Sequence, residues 1–238
     1  RHRITLRHLA SHTSGVASLD ARETMSAPEA VDRGELQIVT EPGAVFNYSQ
    51  LGMIILEKAM EAATGEDFGV AMRSRVLDPL GLRDTHYLVG VRDDLPLVPT
   101  ESGAKADPDR VFPLTPLPGR AGTGLYTSAR DLNRFGQLWL GGGTLDEQMI
   151  FSSTLLSEAW TLHGVRADDG GRYGLLWWLF EEDGGYVMSG AAHSLCAVVP
   201  ETQAVVTIMR NHRGAHAGPY TYYDDKRRAV QLGRAIGA

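Results

Sequence analysis

Apolar side chains at Ile4, Leu6 and Leu9 lead into the polar cluster Ser11-His12-Thr13-Ser14-Gly15, the pattern of a short helix closed by a glycine turn. Positions 17 to 40 show little periodicity and Glu41-Pro42-Gly43 marks a turn, which predicts a loop-rich insert. After Phe46-Asn47-Tyr48-Ser49, apolar residues at Leu51, Ile54, Ile55, Ala59, Ala62 and Ala63 recur at helical spacing. Glu57, Lys58 and Glu61 are expected on the opposite face and Gly65 as the stop, so Tyr48 and Ser49 fall at a helix entrance. A second helix from Asp67 to Leu77 ends ahead of Asp78-Pro79, because the residue before proline is pushed out of helical torsions.

From Val91 to Gly124 prolines are frequent and periodicity is lost, which predicts a long surface excursion. Ser128-Ala129-Arg130-Asp131 reads as a capping box for a helix through Leu132, Phe135 and Trp139, stopped at Gly141-Gly142-Gly143. A further helix is expected from Thr154 to His163. The texture then turns to β: strands are expected over Tyr173 to Phe180, Tyr186 to Ser189, Ser194 to Val199 and Ala204 to Arg210, with turns at Asp183-Gly184-Gly185 and Pro200-Glu201. Consecutive strands with short connections imply an antiparallel sheet. A terminal helix from Tyr222 to Ile236 would cover it through Ala229, Leu232 and Ile236. The fold class is thus α/β in the α+β sense, with a helical, loop-rich part over about 1–165 and a sheet with its covering helix over about 172–238, in one domain that is expected to be incomplete.

The 238 residues are 43% hydrophobic, enough to bury a large core. A formal charge of −6 argues against a nucleic-acid partner, which would need a clustered basic surface. The nearest basic run, Lys226-Arg227-Arg228, is expected on the solvated side of the terminal helix. The single cysteine, Cys196, lies in an apolar run and reads as a buried strand thiol. No apolar stretch is long enough to span a bilayer. The opening Arg1-His2-Arg3-Ile4 carries no leader and no cap signal, and is expected to lie inside a domain.

Several chemistries fail on their own terms. His12 has no acidic partner and no Gly-x-Ser-x-Gly turn to form a triad with, so it reads as a residue pinning its turn. His212 and His216 are separated by the helix breaker Gly214 and lack a third ligand, which argues against zinc. No phosphate-cradling glycine motif occurs, and no cofactor is expected. Ser102-Gly103-Ala104-Lys105 has nucleophile-lysine spacing but sits in a glycine- and proline-rich stretch, where nothing would hold the lysine one helical turn from the serine.

Five segments, in order, resemble the β-lactamase-related serine hydrolase family, which includes class C β-lactamases, D,D-peptidases of the penicillin-binding proteins, family VIII esterases and aminohexanoate-oligomer hydrolases. They are Ile4 to Gly15, Pro42 to Gly52, Pro79-Leu80-Gly81-Leu82-Arg83-Asp84-Thr85, Ala121 to Leu132, and Ser189-Gly190-Ala191 with the strand ending Val199-Pro200-Glu201. The resemblance implies a β-lactamase/penicillin-binding-protein-like fold and an acyl-serine mechanism acting on an ester, amide or lactam. It also implies a small-molecule or short-peptide substrate. Of the family's three motifs, the Ser-x-x-Lys helix is expected upstream of Arg1, so this chain alone is expected to be inactive and to expose apolar surface.

Tyr48 then corresponds to the family tyrosine, a phenol that serves as base only beside a positive charge that the upstream lysine would supply. Without the resemblance it reads as a packed tyrosine. Gln50 stands where the family has Asn and either orients substrate or is a solvated first-turn residue. Met188-Ser189-Gly190 falls on the Lys-Thr-Gly position, and Met188 cannot supply the charge that binds a substrate carboxylate. Gly190 would admit substrate to the strand backbone and the Ala191 N–H would be one arm of an oxyanion hole, or this is a plain strand with small residues. His193 faces either the cleft or solvent at a strand edge. The competing reading is a homologue that retains the fold and binds a ligand without turnover.

Overall fold

Thr5 starts the first helix, α1 (Leu6–Ala10): its hydroxyl accepts from the His8 N–H while the His8 ring accepts from the Thr5 N–H, so a histidine closes the capping box in place of the usual Glu or Gln. The structure is a computed structural model and describes residues 4–17, 31–87, 122, 124–190, 194–210 and 222–237. Helix α2 (Gln50–Thr64) begins where the periodicity places it, with the Gly52 N–H donating to Ser49 Oγ at 3.0 Å and Gly65 closing the helix at φ 69°. Glu57 does not lie on a solvated face. It is buried, because it sits three and four residues after Ile54 and Met53, which the same face of α2 turns inward.

Helix α3 (Phe68–Met72) is capped by Asp67 and runs on as a π-helical turn over Arg73–Leu77, ending ahead of Pro79. Beyond it, β1 (His86–Tyr87) pairs with β2 (Leu125–Tyr126). Ser128 then caps α4 (Ala129–Leu140) by accepting from the Asp131 N–H at 3.2 Å. The second half of the expected capping box is diverted: Asp131 Oδ2 accepts from the Thr85 hydroxyl and the Asp84 N–H, both at 2.8 Å, tying α4 to the segment before β1. A tight hairpin of β3 (Thr144–Leu145) and β4 (Gln148–Met149) leads to α5 (Ser153–Ala159).

Six antiparallel strands follow as a meander: β5 (Gly164–Val165), β6 (Arg172–Tyr173), β7 (Trp178–Phe180), β8 (Gly185–Ser189), β9 (Leu195–Val199) and β10 (Ala204–Ile208), each beside the next. The run Tyr173 to Phe180 is two strands and not one. The Gly174 N–H donates to the Trp177 carbonyl at 2.8 Å and Leu176 takes φ 63°, so the chain reverses inside the apolar run. Apolar patterning could not show this, since Trp177 and Trp178 are both buried but on opposite faces of the sheet.

Helices α4 and α5 cover one face, where Trp177 lies edge-on to Trp139 with ring centres 4.7 Å apart and Cys196, Val198 and Leu179 fill the floor. Burial pushes the Cys196 thiol up to about 12, and its Sγ–H points at the Leu132 carbonyl 3.7 Å away, so it is an inert core residue as its sequence setting implied. The opposite face, with Val187, Ala197 and Val199, is covered by the terminal helix α6 (Tyr222–Gly237). Gly185 permits that close packing, since a Cβ there would lie 2.4 Å from Val230. Only part of the expected apolar face of α6 is buried: Ala229 is, but Leu232 and Ile236 are exposed, and the inward residues are Lys226, Ala229, Val230 and Gly233.

Lys226 is therefore not part of a solvated basic face. It is 1% exposed, with Nζ 4.3 Å from the centre of the Trp178 ring, over which the Arg166 guanidinium also lies at 4.9 Å. Desolvation, reinforced by Arg166 and opposed by Asp169 and Asp225, brings its pKa down to about 7. Between that value and the ordinary 10.5 the unfolded chain binds the proton that the folded chain has released, so stability rises with pH across this window. One such group contributes at most about 1.4 kcal/mol per pH unit. Lys226→Met is expected to raise the denaturant midpoint at pH 7 and to flatten the rise between pH 7 and 9, which urea titrations at the two pH values would show.

Candidate active site

The segment Ser11-His12-Thr13-Ser14 is polar yet buried throughout, at 1–3% exposure. Burial of four polar residues in a row requires that their groups be bonded, and the chain meets this by stitching the turn to residues 39–47. The Gly43 N–H donates to the Thr13 carbonyl and the Asn47 N–H to the His12 carbonyl, both at 2.7 Å, and the Val39 N–H donates to the Gly15 carbonyl at 2.8 Å. Ser11 Oγ donates to the Arg7 carbonyl and lies 2.8 Å from Thr13 Oγ1. Gly15 makes the approach possible: at φ 75° it lies where a Cβ would come within 2.1 Å of the Thr40 carbonyl oxygen.

Tyr48 emerges from this seam one residue before the N-cap of α2. Its ring lies on that of His12, with centres 4.1 Å apart and planes inclined by 34°, and the residue as a whole is 54% exposed. His12 in turn contacts Phe46 and Tyr173, and Tyr173 meets Trp178 edge-on at 4.8 Å. The protein against its inner side desolvates the Tyr48 phenol and pushes its pKa up from the ordinary 10.0. That direction opposes ionisation, so a role as base calls for a cation beside the hydroxyl.

Gln50 is the first residue of α2, with its amide against Gly122: a Cβ on Gly122 would stand 3.0 Å from Gln50 Nε2 and 2.9 Å from Met53 Cβ. Two of the segments singled out in the sequence are thus brought together here. Ser189 ends β8 opposite Leu195 of β9, and the Gly190 N–H donates to the Ser194 carbonyl at 2.8 Å, closing the turn between the two strands. Among the described residues, a Cβ on Gly190 would meet that carbonyl alone, at 3.9 Å. Between Tyr48 and β8 runs a relay of ring contacts, from His12 to Tyr173 to Trp178, the last paired with Val187 two residues before Ser189.

Met188 turns toward the α4–α5 face, where it packs against the cluster of Trp139, Trp177 and Leu179. Ala191 and His193 lie outside the described residues, as do Ser102 to Lys105, His212 and His216. Among the described residues no group of three or more His, Cys, Asp and Glu could hold a metal ion, and no helix is long and apolar enough to cross a membrane. His12, read from the sequence as pinning its turn, sits in an unbroken buried polar run at a left-handed φ of 56°, which His tolerates better than most side chains.

The architecture, a meander sheet covered by helices on both faces with a tyrosine at a helix entrance beside it, defines a β-lactamase/penicillin-binding-protein-like fold. The β-lactamase family matches residues 1–229, and the chain belongs to that family. It is similar to "Penicillin-binding protein 4" of Amycolatopsis lactamdurans, 27% identical over 233 residues that cover 87% of this chain and 59% of that protein. The chain therefore spans less than two thirds of this relative's length. Among solved structures it is similar to the octameric penicillin-binding protein homologue of Pyrococcus abyssi, with a TM-score of 0.76, 22% identity, and coverage of 96% of this chain and 55% of that one. It is also similar to a D-stereospecific amidohydrolase of Streptomyces, with a TM-score of 0.70, 22% identity, and coverage of 99% and 73%.

Proposed function

We propose that this chain is the greater part of a serine hydrolase that opens an ester or amide through an acyl-serine intermediate, with Tyr48 as the proton carrier. The observation that carries the reading is Tyr48 itself: a half-exposed tyrosine at the head of α2, held by a buried polar seam in a member of the β-lactamase family. The raised pKa of that phenol fits the division of labour between two parts of one protein. A Ser-x-x-Lys helix upstream of Arg1 would bring the nucleophile and the ammonium that draws the phenol toward phenolate. Tyr48 would then take the serine proton during acylation and return it to the leaving group. The Ala191 N–H, at the β8–β9 turn closed by Gly190, would be one donor to the oxyanion, and Ser189 and Gln50 would flank the acyl chain.

Met188 narrows the substrate. A methionine packed into an apolar cluster offers no charge to a carboxylate, so neutral acyl groups are favoured over penicillins and D-alanyl peptides. The outer edge of β10, beside a groove of about 650 Å³ that includes Arg130, Val205 and Thr207, is where upstream strands would extend the sheet. Met188 also supports a second reading, in which the protein keeps the fold and binds a ligand without turning it over. The two are separated by assaying p-nitrophenyl butyrate with the protein that carries this chain and its upstream sequence. Steady turnover supports the hydrolase; well-folded protein that neither hydrolyses this ester nor a neutral amide moves the assignment to the binding homologue.

A further inference from the structure

His12 and Tyr48 lie 36 positions apart in the chain, yet the histidine contacts the tyrosine ring and bonds to the backbone on both sides of it. The His12 carbonyl accepts the N–H of Asn47, the residue before Tyr48, at 2.7 Å. His12 Nδ1 accepts the N–H of Ser49, the residue after it, at 3.2 Å. The imidazole carries the tyrosine ring itself, at 4.1 Å between centres. One residue thus grips Tyr48 on both sides along the backbone and on one face of its ring.

The grip is rigid. His12 is 2% exposed, its own N–H donates to the Leu9 carbonyl at 3.2 Å, and Phe46 and Tyr173 close around its ring. Because Nδ1 accepts, the neutral ring carries its proton on Nε2. Burial brings the imidazole down to about 4, so it stays neutral and the Ser49 bond persists across the physiological range.

We propose that His12 is the positioning residue of the site: it aims the Tyr48 phenol by clamping residues 47 to 49, and it takes no proton from the reaction. This rests on the reading of Tyr48 as proton carrier, and a phenol displaced by an ångström is poorly placed for transfer. Two substitutions divide the clamp. His12→Asn preserves an acceptor at the Nδ1 position and tolerates the left-handed φ of 56°, but removes the ring beneath Tyr48. His12→Phe retains a ring and leaves the Ser49 N–H buried without its acceptor.

The experiment uses the protein with its upstream sequence, labelled with ¹³Cζ-tyrosine, and Tyr48→Phe assigns the Tyr48 resonance. For His12→Asn the expected result is a shifted Tyr48 resonance, a melting temperature within a few degrees of the parent, and kcat for p-nitrophenyl butyrate lowered about 10- to 100-fold with KM little changed. His12→Phe is expected to fall at least as far in kcat and to lose more stability. An unmoved resonance in a folded His12→Asn protein would overturn the clamp, and so would a moved resonance with parental kcat. A parent protein with no turnover overturns the hydrolase reading instead, while the resonance still reports whether His12 orients Tyr48. If His12→Asn does not fold, the same substitution is made in the Lys226→Met background, which is expected to be more stable: there, a parental kcat is the overturning result.

Discussion

Tyr48→Phe, made in the protein with its upstream sequence, is expected to lower kcat toward an activated ester by about 10²- to 10⁴-fold, the usual worth of a positioned proton carrier. The substitution removes one hydroxyl. It leaves the ring that lies on His12, and since Tyr48 is 54% exposed little packing is lost. Stability should therefore stay within about 0.5 kcal/mol of the parent, as for a surface change that breaks no cap and opens no cavity. Parallel rate assays and thermal melts separate the two effects. A rate that holds within about threefold would show that Tyr48 is a packed ring and that another group moves the proton.

Gly15→Ala is expected to damage the fold by about 3 kcal/mol, through strain of a non-glycine residue at positive φ together with a backbone collision. The added Cβ would stand 2.1 Å from the Thr40 carbonyl oxygen and 3.0 Å from its carbon, neither of which can step aside as a side-chain tip does. Relief would come by parting the seam between residues 12–16 and 38–47, the same seam that holds Tyr48, so activity should fall with stability. Gly52→Ala is the matched control. Gly52 is also buried, but it is helical and among the described residues its added Cβ would meet nothing nearer than Ser49 Cβ at 3.6 Å, so that variant should be as stable as the parent or slightly more so. Urea denaturation of the pair checks this: equal midpoints would mean that the seam around Gly15 is looser than its hydrogen bonds imply.

Local signals placed most of the elements. Ser49 and Gly65 bound α2, Asp67 starts α3 and Ser128 starts α4, because caps and left-handed stops are short-range chemistry that a sequence displays directly. What sequence could not show depended on contacts between distant segments. Lys226 looks like a surface cation until Trp178 and the Arg166–Asp169 turn are seen to close over it, and Glu57 looks solvated until the face of α2 that it shares with Met53 and Ile54 is seen to turn inward. Asp131 has the right spacing for a capping box, but Thr85 and Asp84 compete for its carboxylate. The break between β6 and β7 was hidden because an apolar run looks alike whether it is one strand or a hairpin with both faces buried.

The candidate site divides in the same way. Tyr48 was legible through its flanking segment, and its place at the helix entrance follows from periodicity alone. His12 was legible as a residue pinning its turn, but not its bonds to residues 47 and 49, which exist only once residues 12–15 and 39–49 lie side by side.

The central claim is a covalent acyl-serine formed by a protein whose larger part is this chain. It is tested most directly by mixing the protein and its upstream sequence with p-nitrophenyl butyrate, quenching in acid during the first turnovers and measuring the intact mass and its peptide map. The expected result is the mass increase of one butyryl group, mapped to a serine that precedes a lysine by three positions upstream of Arg1, and slower to appear in the Tyr48→Phe protein. Turnover with no acylated serine, or acylation at any other residue, would contradict it.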